Sequence, residues 1–256
     1  MIFVILAIYN EEKSLLALVG DIRNALKKDE YKIIAVDDGS FDDSLAILHQ
    51  LSNNNDIIIA PHKVNLCIGA VFSTGFNIAL REAKNDNDIV VTMESDQTSD
   101  INLMKHLINE IRVNRKDIAI ASRYINGGGY RNFPLMRKIY SIFANDILRK
   151  FFPIEGASDY TIFYRSYSVR VLREVMDFFT QYNFIHFRGF VSNSEILIKA
   201  ACFTEKISEI PFQYDYGNKK GKSKLRVFGN ILEYIYFVFS MRRIIKLVKH
   251  ERLKNC

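Results

Sequence analysis

The sequence predicts an α/β fold, a mostly parallel sheet with helices on both faces. Three observations carry that prediction. Strand and helix signals alternate through the first half of the chain, the pattern of a parallel sheet with crossover helices. The apolar run Ile89-Val90-Val91, bounded by polar residues, reads as a buried strand. Three such strands end in acidic or polar clusters, and ligands of open α/β sheets bind at the carboxyl edge of the strands.

The elements follow in order. Residues 2–8 form a first strand, and residues 14–27 a helix with Leu15, Leu18, Ile22 and Leu26 on one face. Residues 31–36 are a second strand running into Asp37-Asp38-Gly39-Ser40, then a helix spans 42–51 and a short strand 57–59. Phe72, Phe76, Ala79 and Ala83 lie at helical spacing within 69–84. After the strand before Glu94 come a helix over 101–113 and a strand over 118–121. Beyond Ser122 the alternation loosens. Gly127-Gly128-Gly129 interrupts it, 135–151 reads as a helix, 159–165 as a strand, 191–201 as a short helix and 207–212 as a last strand. Residues 216–224 form a basic loop, and 225–248 one long, mostly apolar helix. The expected division is residues 1–224 as the main domain, with halves 1–122 and 123–224, and 225–256 as a basic amphipathic C-terminal helix and tail.

A chain of 256 residues with 48% hydrophobic and 25% charged residues has ordinary globular composition. Cys67, Cys202 and Cys256 are odd in number and in no ligand spacing, which implies a reducing compartment without a disulfide framework. Cys67 reads as a small buried apolar residue. The apolar start lacks a basic leader and runs into Asn10-Glu11-Glu12, so it reads as a strand and not a signal peptide. Residues 219–256 hold eleven Lys and Arg against two Glu, a net +9, so the whole-chain +6 leaves −3 on the rest. A nucleic-acid-binding body is basic over its working face. This one is slightly acidic, and no nucleic-acid partner is expected.

The three strand-end clusters, Asn10-Glu11-Glu12, Asp37-Asp38-Gly39-Ser40 and Glu94-Ser95-Asp96, share one sheet edge and converge on one crevice. Carboxylates there accept hydrogen bonds from base N–H groups and ribose hydroxyls, and Tyr9 offers an aromatic face. Two close carboxylates, Glu94 and Asp96, repel each other unless a cation sits between them, and Mg²⁺ takes one or two carboxylates plus phosphate oxygens. The plain alternatives are a turn at 37–40 and an acidic turn in which Ser99 or Asp100 caps the next helix. His49, His62, His106, His186 and His250 form no ligand spacing and receive no role.

As a set, Tyr9-Asn10-Glu11-Glu12, Val36-Asp37-Asp38-Gly39-Ser40 and Met93-Glu94-Ser95-Asp96 resemble the motifs of family-2 glycosyltransferases, whose fold is the Rossmann-like GT-A fold. Ala121-Ser122-Arg123-Tyr124 with Gly127-Gly128, Asp159-Tyr160-Thr161 ahead of Arg165, Glu195, and Gly221-Lys222-Ser223-Lys224 are similar to the dolichol-phosphate mannosyltransferase branch. The resemblance spans residues 2–224. It implies that Ala7, Tyr9, Asn10, Glu11, Asp37, Asp38 and Ser95 hold the nucleoside of a UDP- or GDP-linked sugar. Glu94 and Asp96 stand at the metal-binding acids, for Mg²⁺ or Mn²⁺. Arg123, Arg137 and Ser141 fall where that branch binds an acceptor phosphate, with Lys222, Ser223 and Lys224 closing over the diphosphate. Asp96, Arg123, Asp159 and Glu195 are the implied catalytic set, and inversion at the anomeric carbon is implied with them. Ala7 departs from the family's proline, Glu94 from its first aspartate, and Thr161-Ile162-Phe163-Tyr164 from its Ser-Gly.

A lipid-phosphate nucleophile is already anionic and needs positioning by Arg123 and Arg137, whose guanidinium groups suit phosphate oxygens. A sugar hydroxyl of a glycan would need a base, for which Asp159 and Glu195 are the candidates. The plain readings are ion pairing for the arginines and a solvated helix face for Glu195. A nucleotide-sugar-binding module without activity is a further alternative. The C-terminal helix is too short in its apolar part, 231–239, to span a bilayer. Flanked by Arg242, Arg243, Lys246, Lys249 and Arg252, it reads as lying on a membrane surface, the plain alternative being that it packs on the main domain with its charges solvated. That places the chain as a peripheral protein on the cytoplasmic face.

Overall fold

A computed structural model of the chain describes residues 1–179, 184–218 and 227–254. The candidates Lys222, Ser223 and Lys224 lie outside the described residues. The elements are β1 (Ile2–Ile8), α1 (Leu15–Leu26), β2 (Tyr31–Asp37), α2 (Ser44–Leu51), β3 (Ile57–Pro61), α3 (Ile68–Glu82), β4 (Ile89–Glu94), α4 (Ile101–Arg112), β5 (Ile118–Ser122), β6 (Gly129–Arg131), α5 (Leu135–Phe151), β7 (Arg165–Ser168), α6 (Val169–Phe179), α7 (Ser192–Ala200), β8 (Ile207–Pro211), β9 (Gln213–Asp215) and α8 (Val227–Lys254).

Seven strands form one sheet in the order β3-β2-β1-β4-β7-β5-β8, and β6 pairs with β9 in a small second sheet. β1 is central, parallel to β2 on one side and β4 on the other, and six of its seven residues are buried. A strand covered on both faces reads as a continuous apolar run, which is why Ile2-Phe3-Val4-Ile5-Leu6 carries no polar alternation. The register is what builds the site. Ile8 pairs with Asp37 and Ala7 with Glu94, so all three acidic strand ends meet side by side.

The helices pack by their apolar faces. α1 buries Leu15, Leu18, Val19, Ile22 and Leu26, and α4 buries Met104, Leu107, Ile108 and Ile111. Asp100 caps α4 by accepting the Asn102 N–H at 2.9 Å, whereas the Ser99 hydroxyl donates to Glu94 Oε2 at 2.6 Å. The turn residues therefore serve the helix and the acid cluster together.

The second half departs from the expected plan. The strand placed at 159–165 is instead β7, which runs antiparallel to both β4 and β5. Residues 159–164 form no strand, because Asp159 and Tyr160 are bonded to a side chain on α5 and to Arg123, not to a ladder. α6 was not expected at all, although Val169, Leu172, Val175 and Phe179 recur at helical spacing and are buried. α7 is buried along its entire length and so has no solvated face. Arg165 ties β7 to α7: Nη1 donates to the Asn193 carbonyl and Oδ1, both at 2.9 Å, and Nη2 to the Tyr160 carbonyl at 2.8 Å.

α8 packs on α5 through Phe237, Val238 and Met241, with the Phe237 ring against Phe152 and Phe187. Its outward side carries Ile235, Tyr236 and Phe239, followed by Arg242, Arg243 and Lys246. Among the described residues no helix is long and apolar enough to cross a membrane.

Candidate active site

A single cavity of about 1280 Å³ extends from the ends of β1, β2 and β4 to the space between α5 and α8. Ala7, Tyr9, Glu11, Asp38, Glu94, Ser95, Asp96, Arg123, Arg137 and Ser141 all line it. Ten of the candidates thus share one space.

At the β1–β2 end the backbone is stitched by side chains. Asn10 N–H donates to Ser40 Oγ at 2.9 Å, Glu11 N–H to Ser44 Oγ at 2.8 Å, and Phe41 N–H to Asn10 Oδ1 at 3.0 Å. Asn10 therefore shapes the loop and does not line the cavity. Tyr9 meets Phe41 edge-on at 6.0 Å. The two aspartates differ. Asp38 accepts from the backbone N–H of Leu66 and Cys67 at 2.9 and 3.0 Å. Asp37 accepts from Ser40 N–H through Oδ2, while its buried Oδ1 has no hydrogen-bond partner among the described residues.

The Cys67 side chain is exposed at the cavity wall, not buried as expected. Its position at the turn into α3, with φ +73° and ψ 164°, keeps it out of the core. A Cβ on the neighbouring Gly69 would collide with the carbonyl of Phe187, so α3 docks there by backbone alone.

At the end of β4, Glu94 and Asp96 lie in one pocket. Burial pushes the Glu94 carboxyl above its ordinary range, and the charge of Asp96 adds to that; the Ser99 hydroxyl opposes it. Asp96 Oδ1 accepts from the Thr98 hydroxyl at 2.5 Å. Ser95 Oγ is buried beside them without a hydrogen-bond partner among the described residues. A raised carboxyl next to a second carboxylate fits a divalent cation, whose charge removes the repulsion. Among the described residues no cluster of three or more ligating side chains occurs, and Glu94 and Asp96 are the two acids at this end of β4.

Arg123 begins the other half of the cavity. Its Nε and Nη2 donate to both oxygens of Asp159 at 2.7 Å, and Nη2 also to Thr161 Oγ1 at 2.7 Å. The guanidinium lies 5.2 to 5.9 Å from the ring centres of Tyr124, Tyr130 and Tyr214. Ser141 Oγ hydrogen-bonds with the Tyr124 and Tyr130 hydroxyls at 2.9 and 2.8 Å, and Arg137 Nη1 donates to the Tyr216 hydroxyl at 2.8 Å.

Two expected carboxylates are corrected here. Asp159 is fully buried, accepts from Arg123, Thr161 and Ile162, and does not line the cavity. The opposing charge and hydrogen bonds of Arg123 outweigh its burial and hold its carboxyl below the usual range. Glu195 is equally buried and accepts from Lys199 Nζ at 2.6 Å and from the backbone N–H of His186 and Phe187 at 3.0 Å. Both are internal counter-ions, buried from solvent.

Sequence reasoning missed Tyr214. It hydrogen-bonds with Thr98, and burial together with the charges of Glu94 and Asp96 drives its phenol upward. It stands between the acid pair and Arg123, joining the two halves. The signal available was Tyr214-x-Tyr216 directly after the last strand.

The solved glucosyl-3-phosphoglycerate synthase of Mycobacterium tuberculosis in complex with uridine-diphosphate superposes with a TM-score of 0.64 at 15% identity, covering 94% of this chain and 80% of that one. The same enzyme with Mn²⁺, UDP and phosphoglyceric acid gives 0.61 at 14% identity, covering 98% and 78%. These establish the GT-A fold. A dolichol-phosphate mannosyltransferase of Pyrococcus furiosus is 31% identical over 94% of this chain, and a polyprenol monophosphomannose synthase of Mycolicibacterium smegmatis 31% identical over 67%. The chain spans 63% of the length of each of these two relatives. The sequence profile of glycosyl transferase family 2 matches residues 3–176, more than half of the chain. The chain belongs to glycosyl transferase family 2.

Proposed function

We propose that this chain is a metal-dependent, inverting glycosyltransferase that moves a sugar from a nucleotide-sugar to a polyprenyl phosphate at the cytoplasmic face of a membrane. The observation that carries this reading is the continuity of the cavity. It begins at the acids, passes Arg123, and ends among Phe143, Ile147, Phe151, Val238 and Phe239 between α5 and α8. An amphiphile with one phosphate and a hydrocarbon tail matches that order of chemistry. The names of the two 31%-identical relatives support the same acceptor class.

The orphaned Ser95 hydroxyl, in the cavity lining, is suited to a polar group of the nucleoside or diphosphate, since buried polar atoms find partners. Glu94 and Asp96 would hold Mg²⁺ or Mn²⁺, which supplies charge for the departing diphosphate. Arg123 orients the acceptor phosphate. Its guanidinium is preset by Asp159 and the three tyrosine rings, so little reorganisation is needed when an anion arrives. A phosphate nucleophile needs no base, in keeping with the locked state of Asp159 and Glu195. Asp38 lines the cavity and supports the 65–67 loop, whereas Asp37 does not line it.

The membrane contact extends beyond α8. Leu135, Met136, Ile139 and Phe143 on α5 are exposed, next to Ile235 and Phe239 of α8. Arg137, Lys138, Arg242 and Arg243 border them, and apolar side chains rimmed by cations suit an anionic lipid surface. Donor turnover tests the reading. UDP- and GDP-sugars are incubated with Mg²⁺ or Mn²⁺, with and without polyprenyl phosphate, using wild type and Asp96→Ala. Lipid- and metal-dependent transfer that Asp96→Ala abolishes is expected. Donor hydrolysis that lipid phosphate does not stimulate would overturn the acceptor assignment.

A further inference from the structure

His62 lies in no ligand spacing, yet it stands behind the wall of the donor end. It follows β3, where its backbone N–H donates to the Asp37 carbonyl at 2.8 Å. Its nearly buried ring bridges two elements: Nδ1 is 2.7 Å from Asp38 Oδ1, and Nε2 is 3.0 Å from Thr74 Oγ1 on α3. An ionised carboxylate only accepts, so Nδ1 carries a proton and donates to Asp38, while Nε2 meets the Thr74 hydroxyl. Asp38 meanwhile accepts from Leu66 and Cys67, the last amides before α3. Cys67 is held at φ +73° and ψ 164°, a region in which glycine alone is at ease, and such a conformation persists only when its surroundings over-determine it. Three of the four lone-pair sites on Asp38 are thus spent on the protein itself, one of them on His62. Asp38, Asn65 and Cys67 line the cavity, while His62 does not.

We propose that His62 is a positioning residue for the donor nucleotide. It fixes the Asp38 carboxylate, which fixes residues 65–67 as the wall of the nucleoside end. The proposal rests on the donor-site reading given above. Removing the Nδ1 contact frees Asp38 to turn and lets the strained 65–67 wall relax, which weakens nucleotide binding. Asp96 and Arg123 are untouched, so the transfer step itself is spared.

Asparagine and glutamine separate the two ring contacts. The Asn side-chain amide lies where Nδ1 was, since both are attached to Cγ, and keeps the Asp38 bond. The Gln amide lies near Nε2 and keeps only the Thr74 side. Full-chain wild type, His62→Asn, His62→Gln and Thr74→Val are titrated calorimetrically with UDP and with GDP, each with Mn²⁺. For the nucleotide that wild type binds, His62→Gln is expected to raise Kd about tenfold, equivalent to about 1.4 kcal/mol. His62→Asn and Thr74→Val stay within about threefold, on the same scale. In turnover, His62→Gln raises the donor KM and leaves kcat and the acceptor KM unchanged. Equal Kd values for His62→Asn and His62→Gln, or a larger loss for Asn, would overturn the proposal alone. Wild type that binds neither nucleotide would overturn the donor-site reading and this inference together, so the two failures are distinguishable.

Discussion

The acids of the cavity region fall into two groups, those that line the cavity at the strand ends and those buried outside its lining, and the two groups are partnered differently. At the strand ends Asp37 Oδ1 and Ser95 Oγ are buried with no hydrogen-bond partner among the described residues, and Glu94 and Asp96 both line the cavity. On the other side Asp159 and Glu195 are just as buried, yet each is saturated by a cation and by backbone amides. Access to the cavity, and not residue type, distinguishes the two groups. Glu94 and Asp96 line the cavity, whereas Asp159 holds the cavity-lining Arg123 in place from outside the lining.

Breaking the saturated side has the largest expected effect on the fold. Asp159→Ala leaves Arg123 buried without its counter-ion and is expected to cost about 3–5 kcal/mol in chemical denaturation. The sign of the pH effect follows from the depressed Asp159 carboxyl. Its contribution is present above the ordinary carboxylate value of ~3.9 and is lost as pH falls through the lower folded value. Asp159→Asn should therefore flatten the acid limb of stability against pH; an unchanged limb would remove Asp159 from the saturated class.

Breaking the available side should leave the fold and remove the function. Asp96→Ala is expected to lower metal-dependent turnover by roughly a hundredfold or more, since a metal site supplies several kcal/mol of charge stabilisation. Its stability should stay within about 1 kcal/mol of wild type, the scale of the Thr98 bond that is lost. A loss of stability as large as that of Asp159→Ala would erase the distinction between the ends.

The membrane-facing side of the acceptor end gives a smaller effect. Phe143→Ser is expected to weaken partition onto anionic vesicles about tenfold in sedimentation, because burial of a Phe side chain gives ~1.5–3 kcal/mol. The melting temperature should hold, as that ring is exposed. The smallest effect is at the donor wall. Cys67→Gly relieves a backbone conformation that costs ~1–3 kcal/mol and adds ~0.5–1 kcal/mol of unfolded-chain entropy, so a net gain of about 1 kcal/mol is expected in thermal unfolding.

The same contrast explains what could be read before the fold was seen. The donor half is written in periodicity: buried parallel strands are continuous apolar runs, and each ends in its acids, so β1, β2 and β4 and their clusters were legible. The acceptor half is written in contacts. β7 is Arg165-Ser166-Tyr167-Ser168, a buried strand with no apolar run, because Arg165 finds its partners on α7 and at Tyr160. Misplacing that strand hid α6, whose apolar spacing was present throughout. Asp38 and His62 show the limit most plainly. Nothing in Asp37-Asp38 tells which carboxylate is spent on a loop, and a bridge from β3 to α3 has no sequence spacing.

The place of β7 in the sheet also sets a timetable for the chain as it is made. β1 to β4 pair among themselves as parallel neighbours joined by helical crossovers, so this part can assemble once about the first hundred residues have left the ribosome. The far part cannot. β5 has no seat next to β4, because β7 lies between them and its residues follow those of β4 by more than seventy positions, as in the pairing of Thr92 with Arg165. Until β7 arrives, the free edge of β4 and the unpaired β5 wait as open edges of the kind that recruit stray strands. The donor end of this protein is thus born early and the acceptor end late, with one short antiparallel strand closing the interval.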